Sequence, residues 1–175
     1  MKIETLNKMI DNYRFFKKIS CKLANPILFN VEISEEEFIK NVKKLDSLYK
    51  DFWENKIKEQ ELIKEIKILQ TFDFSGKVIE DEKIYLNDIV GVTHSNYSLV
   101  PWIIALPMLK RFDLNFPKTE EEKEELFNKM KNNNFTEKLK LVEKNGEYYI
   151  YEGHNRIIIC KALGLEYLKA DVLLN

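Results

Sequence analysis

The chain has 175 residues, of which 45% are apolar and 33% are charged, as is ordinary for a globular protein. This length is enough for one sizeable core, or for one domain with a helical annex. The formal net charge of −1 argues against a protein whose main task is to wrap nucleic acid, although a local basic patch stays open.

Cysteine and histidine content excludes other classes. The chain holds only 2 histidines and 2 cysteines, Cys21 and Cys160, so no zinc site of ordinary spacing can be built. No signal peptide is present, and the most apolar segment, 99–109, is broken by proline and shorter than the roughly 18 residues that cross a bilayer. We therefore expect a cytoplasmic protein with buried free thiols, no membrane contact and no metal held by the chain alone.

The N-terminal part of the chain is helical in pattern. Residues 3–20 place apolar side chains at helical spacing, and Asn25-Pro26 ends this first helix before a short apolar connector. A second helix begins at Ser34, where Glu37 completes a capping box. Ile33 and Phe38 form the hydrophobic staple that accompanies such a box.

The apolar line of the second helix continues through 42–69 but changes phase, which predicts a kink or a break near Asn55. Its members are Val42, Leu45, Tyr49, Phe52, Trp53, Ile57, Leu62, Ile66 and Leu69. Such a stripe is typical of a packing face. We expect residues 1–72 to form a helical region that packs on the rest of the chain, on a second copy of it, or on a partner protein.

Two less regular segments follow. The linker 71–82 contains a short strand at Val78-Ile79, and residues 83–89 read as a longer strand. The segment 92–117 is very apolar but contains Pro101 and Pro107, which discourage one regular helix. It is either a hydrophobic wall or lid over a later turn or simply core, and core is the better interpretation because large apolar residues are usually buried.

The C-terminal part alternates helix and strand. Thr119 and Glu122 form a second capping box, which predicts a helix that ends at the asparagines 132–134. A hairpin follows, with strands over 138–143 and 147–152 joined by an Asn-Gly turn. A short apolar helix after Gly153 stops at Gly164, and a last strand spans 168–174. The fold class is therefore α+β, with the strands confined to the part after the helical N-terminal region.

The turn between the hairpin and the apolar helix is the main functional candidate. A helix that begins directly after a strand leaves N–H groups of its first turn without acceptors, and the helix dipole favours an anion there. His154 and Arg156 stand where helices prefer acids, so an anion would complete the site. The alternative is that Arg156 pairs with a carboxylate such as Glu152 and that His154 is a surface residue.

The same residues carry a family resemblance. The segment Tyr151-Glu152-Gly153-His154-Asn155-Arg156, followed by Ala162-Leu163-Gly164 and a strand, resembles the motif of the ParB/sulfiredoxin superfamily. Upstream, residues 83–89 resemble the opening strand of that fold, 119–132 its middle helix and 138–142 the strand before the hairpin turn. The resemblance covers residues 83–174 and is specific at the glycine-to-arginine core. It implies that residues 73–175 form a domain of that fold, a small mixed sheet flanked by helices.

The resemblance implies a nucleotide site. In relatives, the glycine turn and the arginine that matches Arg156 hold phosphates: CTP in partition proteins, ATP in sulfiredoxin, and ADP or ATP in small-molecule kinases. Gly153, His154, Asn155 and Arg156 would hold a nucleoside di- or triphosphate, with Mg²⁺ as its companion ion. Sulfiredoxin has its reactive cysteine where this chain has His154, and the DNA-reading module of partition proteins is missing before Asn175, so neither activity is expected.

The turn is most similar to that of the free-serine kinases of this fold, which need a carboxylate base near the end of the first strand. Asp88 and the following His94-Ser95 are candidates, and Glu152 or Asp88 would hold the metal or deprotonate an acceptor hydroxyl. His154 as a transient phosphate acceptor ranks lower. We expect an NTP-dependent phosphotransferase or hydrolase acting on an unidentified small-molecule or protein acceptor. The alternatives are a non-catalytic nucleotide sensor or interaction module, and a ParB-like nuclease or DNA-binding protein.

Overall fold

A computed structural model describes residues 33–53, 62, 64–93 and 100–175, together with positions 7, 10, 11 and 14. Those four positions are helical and fall in the helix predicted over 3–20. The rest of that helix, the connector up to residue 32, Cys21, the predicted break near Asn55 and the pair His94-Ser95 lie outside the described residues.

Residues 35–53 form two consecutive helices, α1 (Glu35–Lys44) and α2 (Asp46–Trp53). The predicted capping box is confirmed at its N-cap, because Ser34 Oγ accepts a hydrogen bond from the Glu37 amide at 3.1 Å. Both staple residues are buried, with Ile33 3% and Phe38 0% exposed. The chain turns at Leu45, a break that the apolar spacing does not predict.

The described residues after the two helices form a mixed sheet together with further helices. Its strands are β1 (Lys67–Ile68), β2 (Val78–Tyr85), β3 (Ile89–Val92), β4 (Lys140–Lys144), β5 (Glu147–Glu152) and β6 (Tyr167–Leu174). Their order in this sheet is β1-β3-β5-β4-β6-β2. β3 is parallel to β1 and to β5, β4 is antiparallel to β5 and parallel to β6, and β2 is antiparallel to β6. Helices flank this sheet, so the predicted mixed helix-and-sheet class is confirmed at that level.

Two predicted elements are wrong in detail. Ile66 and Leu69, which continue the helical spacing, flank strand β1, because pairing of Lys67 with Gly91 of β3 overrides the local pattern. The strand predicted over 83–89 is interrupted by a 3₁₀ turn at Leu86–Asp88. The amide of Leu86 still bonds to Glu166 O at 3.0 Å, one residue beyond the last pair of β2 with β6, and the 3₁₀ turn then separates β2 from β3.

The described part of the apolar segment forms two short helices, α3 (Trp102–Ala105) and α4 (Phe112–Asn115), with a 3₁₀ turn at Leu106–Met108 between them. All residues from 102 to 109 are buried, so the core interpretation is confirmed for them. Pro107 sits in the 3₁₀ turn, where its missing N–H carries no cost. After Leu109 the chain reaches the surface, except at Phe112, which is buried.

The C-terminal elements agree with their local signals. α5 (Glu120–Asn132) begins at the N-cap Thr119, and Asn133 ends it in the left-handed conformation. Asn145 and Gly146, with φ of 55° and 79°, form the turn between β4 and β5. α6 (His154–Ala162) holds the free, buried thiol of Cys160, as predicted.

One hydrophobic core joins the described helices to one face of the sheet. It combines Phe38, Val42 and Tyr49 from the N-terminal helices with Ile150 of β5 and Ile157 of α6, all 0% exposed. The division at residues 72/73 stays a prediction, although β1 lies before it and pairs within the sheet. Among the described residues, no helix is long and apolar enough to cross a bilayer.

Candidate functional site

The candidate site is built around the junction of β5 and α6. Gly153 adopts φ 97° and ψ 21°, a left-handed conformation that turns the strand directly into the helix. A Cβ at this position would lie 2.4 Å from Leu139 Cδ2, so a side chain could enter only if Leu139 shifted. The first turn of α6 carries no acidic residue, and the N-cap provides no side-chain acceptor. Its first amides therefore keep the capacity to bind an anion.

A cavity of about 710 Å³ lies in front of this turn. Its walls come from four places: the junction itself, the α4 segment with the residues that follow it, one side of α5, and the loop before β4. The lining residues are Arg111, Leu114, Asn115, Phe116, Pro117, Glu122, Glu125, Leu126, Lys129, Phe135, Thr136, Glu137, Gly153, His154, Asn155 and Arg156. The four residues of the predicted phosphate turn thus share one cavity.

Arg156 is held without a carboxylate partner. Its Nη1 donates to Glu137 O at 3.1 Å, and its Cζ lies 4.2 Å from the centre of the Phe135 ring. Within the described part of the chain, no carboxylate lies within ion-pair distance of it, and Glu152 pairs instead with Lys140 at 3.2 Å. The alternative pairing of Arg156 with Glu152 is therefore wrong.

Burial lowers the pKa of the Arg156 guanidinium, while the carboxylates of Glu137 and Glu152 act in the opposite direction. The group stays charged at neutral pH, because the ordinary pKa of an arginine side chain lies far above neutrality. Guanidinium carries five N–H donors in a planar fork, and one of them is engaged by Glu137 O. The remaining donors can serve an anion in the cavity.

The neighbours of Arg156 in the turn offer different chemistry. His154 lines the cavity and its Nε2 atom is buried. Asn155 also lines the cavity, and its buried Oδ1 receives no hydrogen bond from the described residues. An unpaired buried acceptor destabilises the folded protein by about 1–3 kcal/mol, so a ligand that donates a hydrogen bond to it would recover this free energy.

The structure does not bring Asp88 to this turn. Asp88 directly precedes Ile89, which pairs with Tyr148 near the start of β5, whereas the turn follows the other end of that strand. The five steps from Tyr148 to Gly153 span about 16 Å at strand rise. Glu152 is adjacent to the turn, but it does not line the cavity and it pairs with Lys140.

Sequence reasoning missed several residues of the cavity wall. Arg111 comes from the apolar segment, and Phe135 and Glu137 come from the loop after α5. The apolar character of the segment allowed a cavity wall as one interpretation. No other local pattern signals these residues, because only the fold brings them to the turn.

In the described part of the chain, no group of three histidine, cysteine or acidic side chains is arranged to hold a metal ion.

Comparison of this chain with protein-family models, with curated proteins and with solved structures returned no match.

Proposed function

We propose that this chain is a nucleotide-binding protein of the ParB/sulfiredoxin-like fold that uses the Gly153–Arg156 turn as a phosphate cradle. The activity that fits best is an NTP-dependent phosphotransferase acting on a small molecule, or an NTP hydrolase. The observation that carries the proposal is the environment of the Arg156 guanidinium. It is half-buried, lies at the start of a helix and lines the cavity, and it contacts a backbone carbonyl and an aromatic ring. A cation in that position opposes the helix dipole unless an anion joins it.

Each part of a nucleotide has a fitting partner in the cavity. Phosphate oxygens accept from the first amides of α6 and from the guanidinium of Arg156, a charge-assisted arrangement. Asn155 Oδ1 is an acceptor, so it fits a ribose hydroxyl or a base amino group rather than a phosphate. The apolar side chains of Leu114 and Phe116 offer contact for an uncharged base.

Phosphoryl transfer at this site would be mainly positioning and charge neutralisation. The acceptor oxygen forms a bond to the terminal phosphorus, the bond from that phosphorus to the bridging oxygen breaks, and the diphosphate leaves. Glu137 lines the cavity and forms no ion pair with the described residues, so we assign it the proton released by the acceptor hydroxyl. Glu137 would also contact Mg²⁺ bound to the phosphates, and that ion supplies further charge neutralisation.

A non-catalytic nucleotide sensor is the second candidate, and a specific observation favours it. Two carboxylates are expected to act as base or metal ligand. Asp88 lies beside the start of β5, the end that is far from the turn, and Glu152 is paired with Lys140. His94 and Ser95, the other candidates, lie outside the described residues. A cradle without a dedicated base would bind a nucleotide and transfer nothing.

The test is a thermal-shift panel with ATP, ADP, CTP and GTP, with and without Mg²⁺. A ligand that binds the folded state raises the melting temperature. Arg156→Ala should weaken nucleotide binding by about 10- to 100-fold, the value of a lost charge-assisted contact. Arg14→Ala is the matched control, because Arg14 pairs with Glu35 at 2.7 Å on the exposed surface.

The outcomes separate the candidates. Binding with release or transfer of phosphate supports the enzyme, whereas binding without turnover supports the sensor. If none of the four nucleotides shifts the melting temperature, or if Arg156→Ala binds as tightly as the wild-type protein, the proposed cradle is wrong.

A further inference from the structure

The segment that provides one wall of the cavity holds Arg111 in a fixed place. Arg111 lies between Leu109 and Phe112, which are 0% and 2% exposed. Its carbonyl accepts hydrogen bonds from the amide of Asn115 at 3.2 Å and from Asn115 Nδ2 at 2.8 Å. Helix α4, which begins directly after it, packs against α6. The backbone of Arg111 is thus anchored to the core while its side chain is at the cavity.

Among the charged side chains on the cavity wall, Lys129 and Glu125 form an ion pair at 2.6 Å. Glu122 accepts the amide of Lys118 at 2.7 Å as part of the cap of α5. The side chain of Arg111 forms no hydrogen bond or ion pair with any described residue. The cavity therefore presents two guanidinium groups, from Arg111 and Arg156, that form no ion pair with a carboxylate of the described residues. Burial lowers the pKa of Arg156, and Glu137 and Glu152 oppose that shift from a longer distance.

The two arginines line the cavity from different elements, so a ligand that uses both must contact two walls of the cavity. A single phosphate at the start of α6 is served by the turn amides and by Arg156. A group that reaches Arg111 on the α4 wall must extend from that first phosphate and must also be anionic. A di- or triphosphate chain has this property, and a monophosphate does not.

We propose that Arg111 binds the phosphate farthest from the nucleoside and makes this cavity selective for longer phosphate chains. The inference rests on the proposed nucleotide-binding function. The apolar segment then has two roles. Its buried residues complete the core, and Arg111 on its surface turn distinguishes longer phosphate chains from shorter ones. Planar guanidinium binds phosphate oxygens bidentately, which suits an arginine better than a lysine at this place.

The experiment is calorimetric titration of the full chain with AMP, ADP, ATP and inorganic triphosphate. Arg111→Ala should lower the affinity for ATP and inorganic triphosphate by about tenfold or more, because a charge-assisted contact is lost. The loss should be smaller for ADP and within about twofold for AMP, because an exposed charge that touches no ligand contributes little. Arg111→Lys should recover part of the loss.

Lys110→Ala is the control, because it removes one positive charge from the adjacent exposed residue, which does not line the cavity. It should leave all affinities unchanged. An Arg111→Ala protein that binds ATP as tightly as wild type, or that loses the same factor for all four ligands, overturns the inference while nucleotide binding stands. If the wild-type protein binds none of the ligands, the proposed function fails as well.

Discussion

At the scale of single residues, the groups around the turn differ in what they can give to a ligand. The guanidinium groups of Arg111 and Arg156 donate hydrogen bonds, whereas Asn155 Oδ1 only accepts them. Ionised phosphate oxygens also accept, so Asn155 Oδ1 cannot bind the phosphate, although the backbone amide of Asn155 can. The resemblance to the ParB/sulfiredoxin superfamily implies that all four turn residues hold the phosphates. The buried, unpaired Oδ1 instead fits the nucleoside end of the proposed ligand.

We therefore expect Asn155→Ala to weaken nucleotide binding without lowering the stability of the folded protein. The free energy of unfolding of the ligand-free protein should change by less than about 0.5 kcal/mol or rise, because the buried oxygen has no donor to lose. Nucleotide affinity should fall by about 5- to 10-fold, the value of one neutral hydrogen bond. Urea unfolding and calorimetric titration measure the two effects.

Asn41→Ala provides the comparison for this prediction. Asn41 is also helical and is 2% exposed, but its Nδ2 donates to Pro107 O at 3.0 Å. Its replacement should cost about 1–3 kcal/mol, because the carbonyl of Pro107 is left buried and unpaired. A loss of similar size in Asn155→Ala would show that Oδ1 has a donor in the free protein and would contradict its assignment to the nucleoside.

At the scale of elements, the junction of β5 and α6 depends on one backbone conformation and one close contact. Gly153 has φ 97°, and its Cα hydrogen faces Leu139, which leaves no space for a methyl group. Gly164, after the other end of the same helix, has φ 84°, but a Cβ placed there would meet no atom within 4 Å. The two glycines thus share the backbone requirement and differ in packing.

Gly164→Ala should destabilise the protein by about 1–2 kcal/mol, the cost of a left-handed residue with a side chain. Gly153→Ala should cost about 2–5 kcal/mol, because overpacking against Leu139 adds to the same backbone term. Gly153→Ala should also weaken nucleotide binding, since the turn must shift to admit the methyl group. Equal losses of stability in the two variants, measured by urea unfolding, would mean that the contact with Leu139 relaxes freely.

Elements with local signals could be predicted, and elements set by distant pairing could not. The Asn145-Gly146 hairpin, the cap at Thr119 and the helix that Gly164 ends each follow from a few neighbouring residues. Strand β1 does not, because its partner Gly91 is distant in sequence and no alternation marks it. The site divides in the same way: the turn is predictable from its own residues, whereas Arg111 reaches it only through the packing of α4 on α6.

At the scale of the whole molecule, 28 basic and 29 acidic residues nearly cancel, and ion pairs join elements that are far apart in the chain. Asp81 in β2 is bound by Asn133 at the end of α5 and by Lys138 before β4. Asp113 in α4 is bound by Lys44 of α1. These contacts connect the helical region, the wall of the cavity and the edge strand of the sheet.

The same contacts set the direction of the response to acid. The hydrogen bond from Asn133, followed by that from Lys138, lowers the pKa of Asp81 below its ordinary 3.8. Lys44 lowers the pKa of Asp113 in the same way. A carboxyl whose pKa is lower in the folded state stabilises the fold above its unfolded value and loses that contribution as pH falls through the folded value. Stability should therefore be level near neutral pH and should fall below about pH 4.

Because these carboxyls are exposed, salt should weaken the effect, and this distinguishes it from the titration of a buried group. We expect the difference in free energy of unfolding between about pH 6 and about pH 3 to shrink in about 0.5 M sodium chloride. Asp81→Asn should reduce the same difference at low salt, because it removes one of the titrating groups, and Lys77→Ala, an exposed cation outside these pairs, should not. A pH dependence that is unchanged by both salt and Asp81→Asn would mean that the acid response comes from other groups, and the ion pairs between elements would then contribute nothing to it.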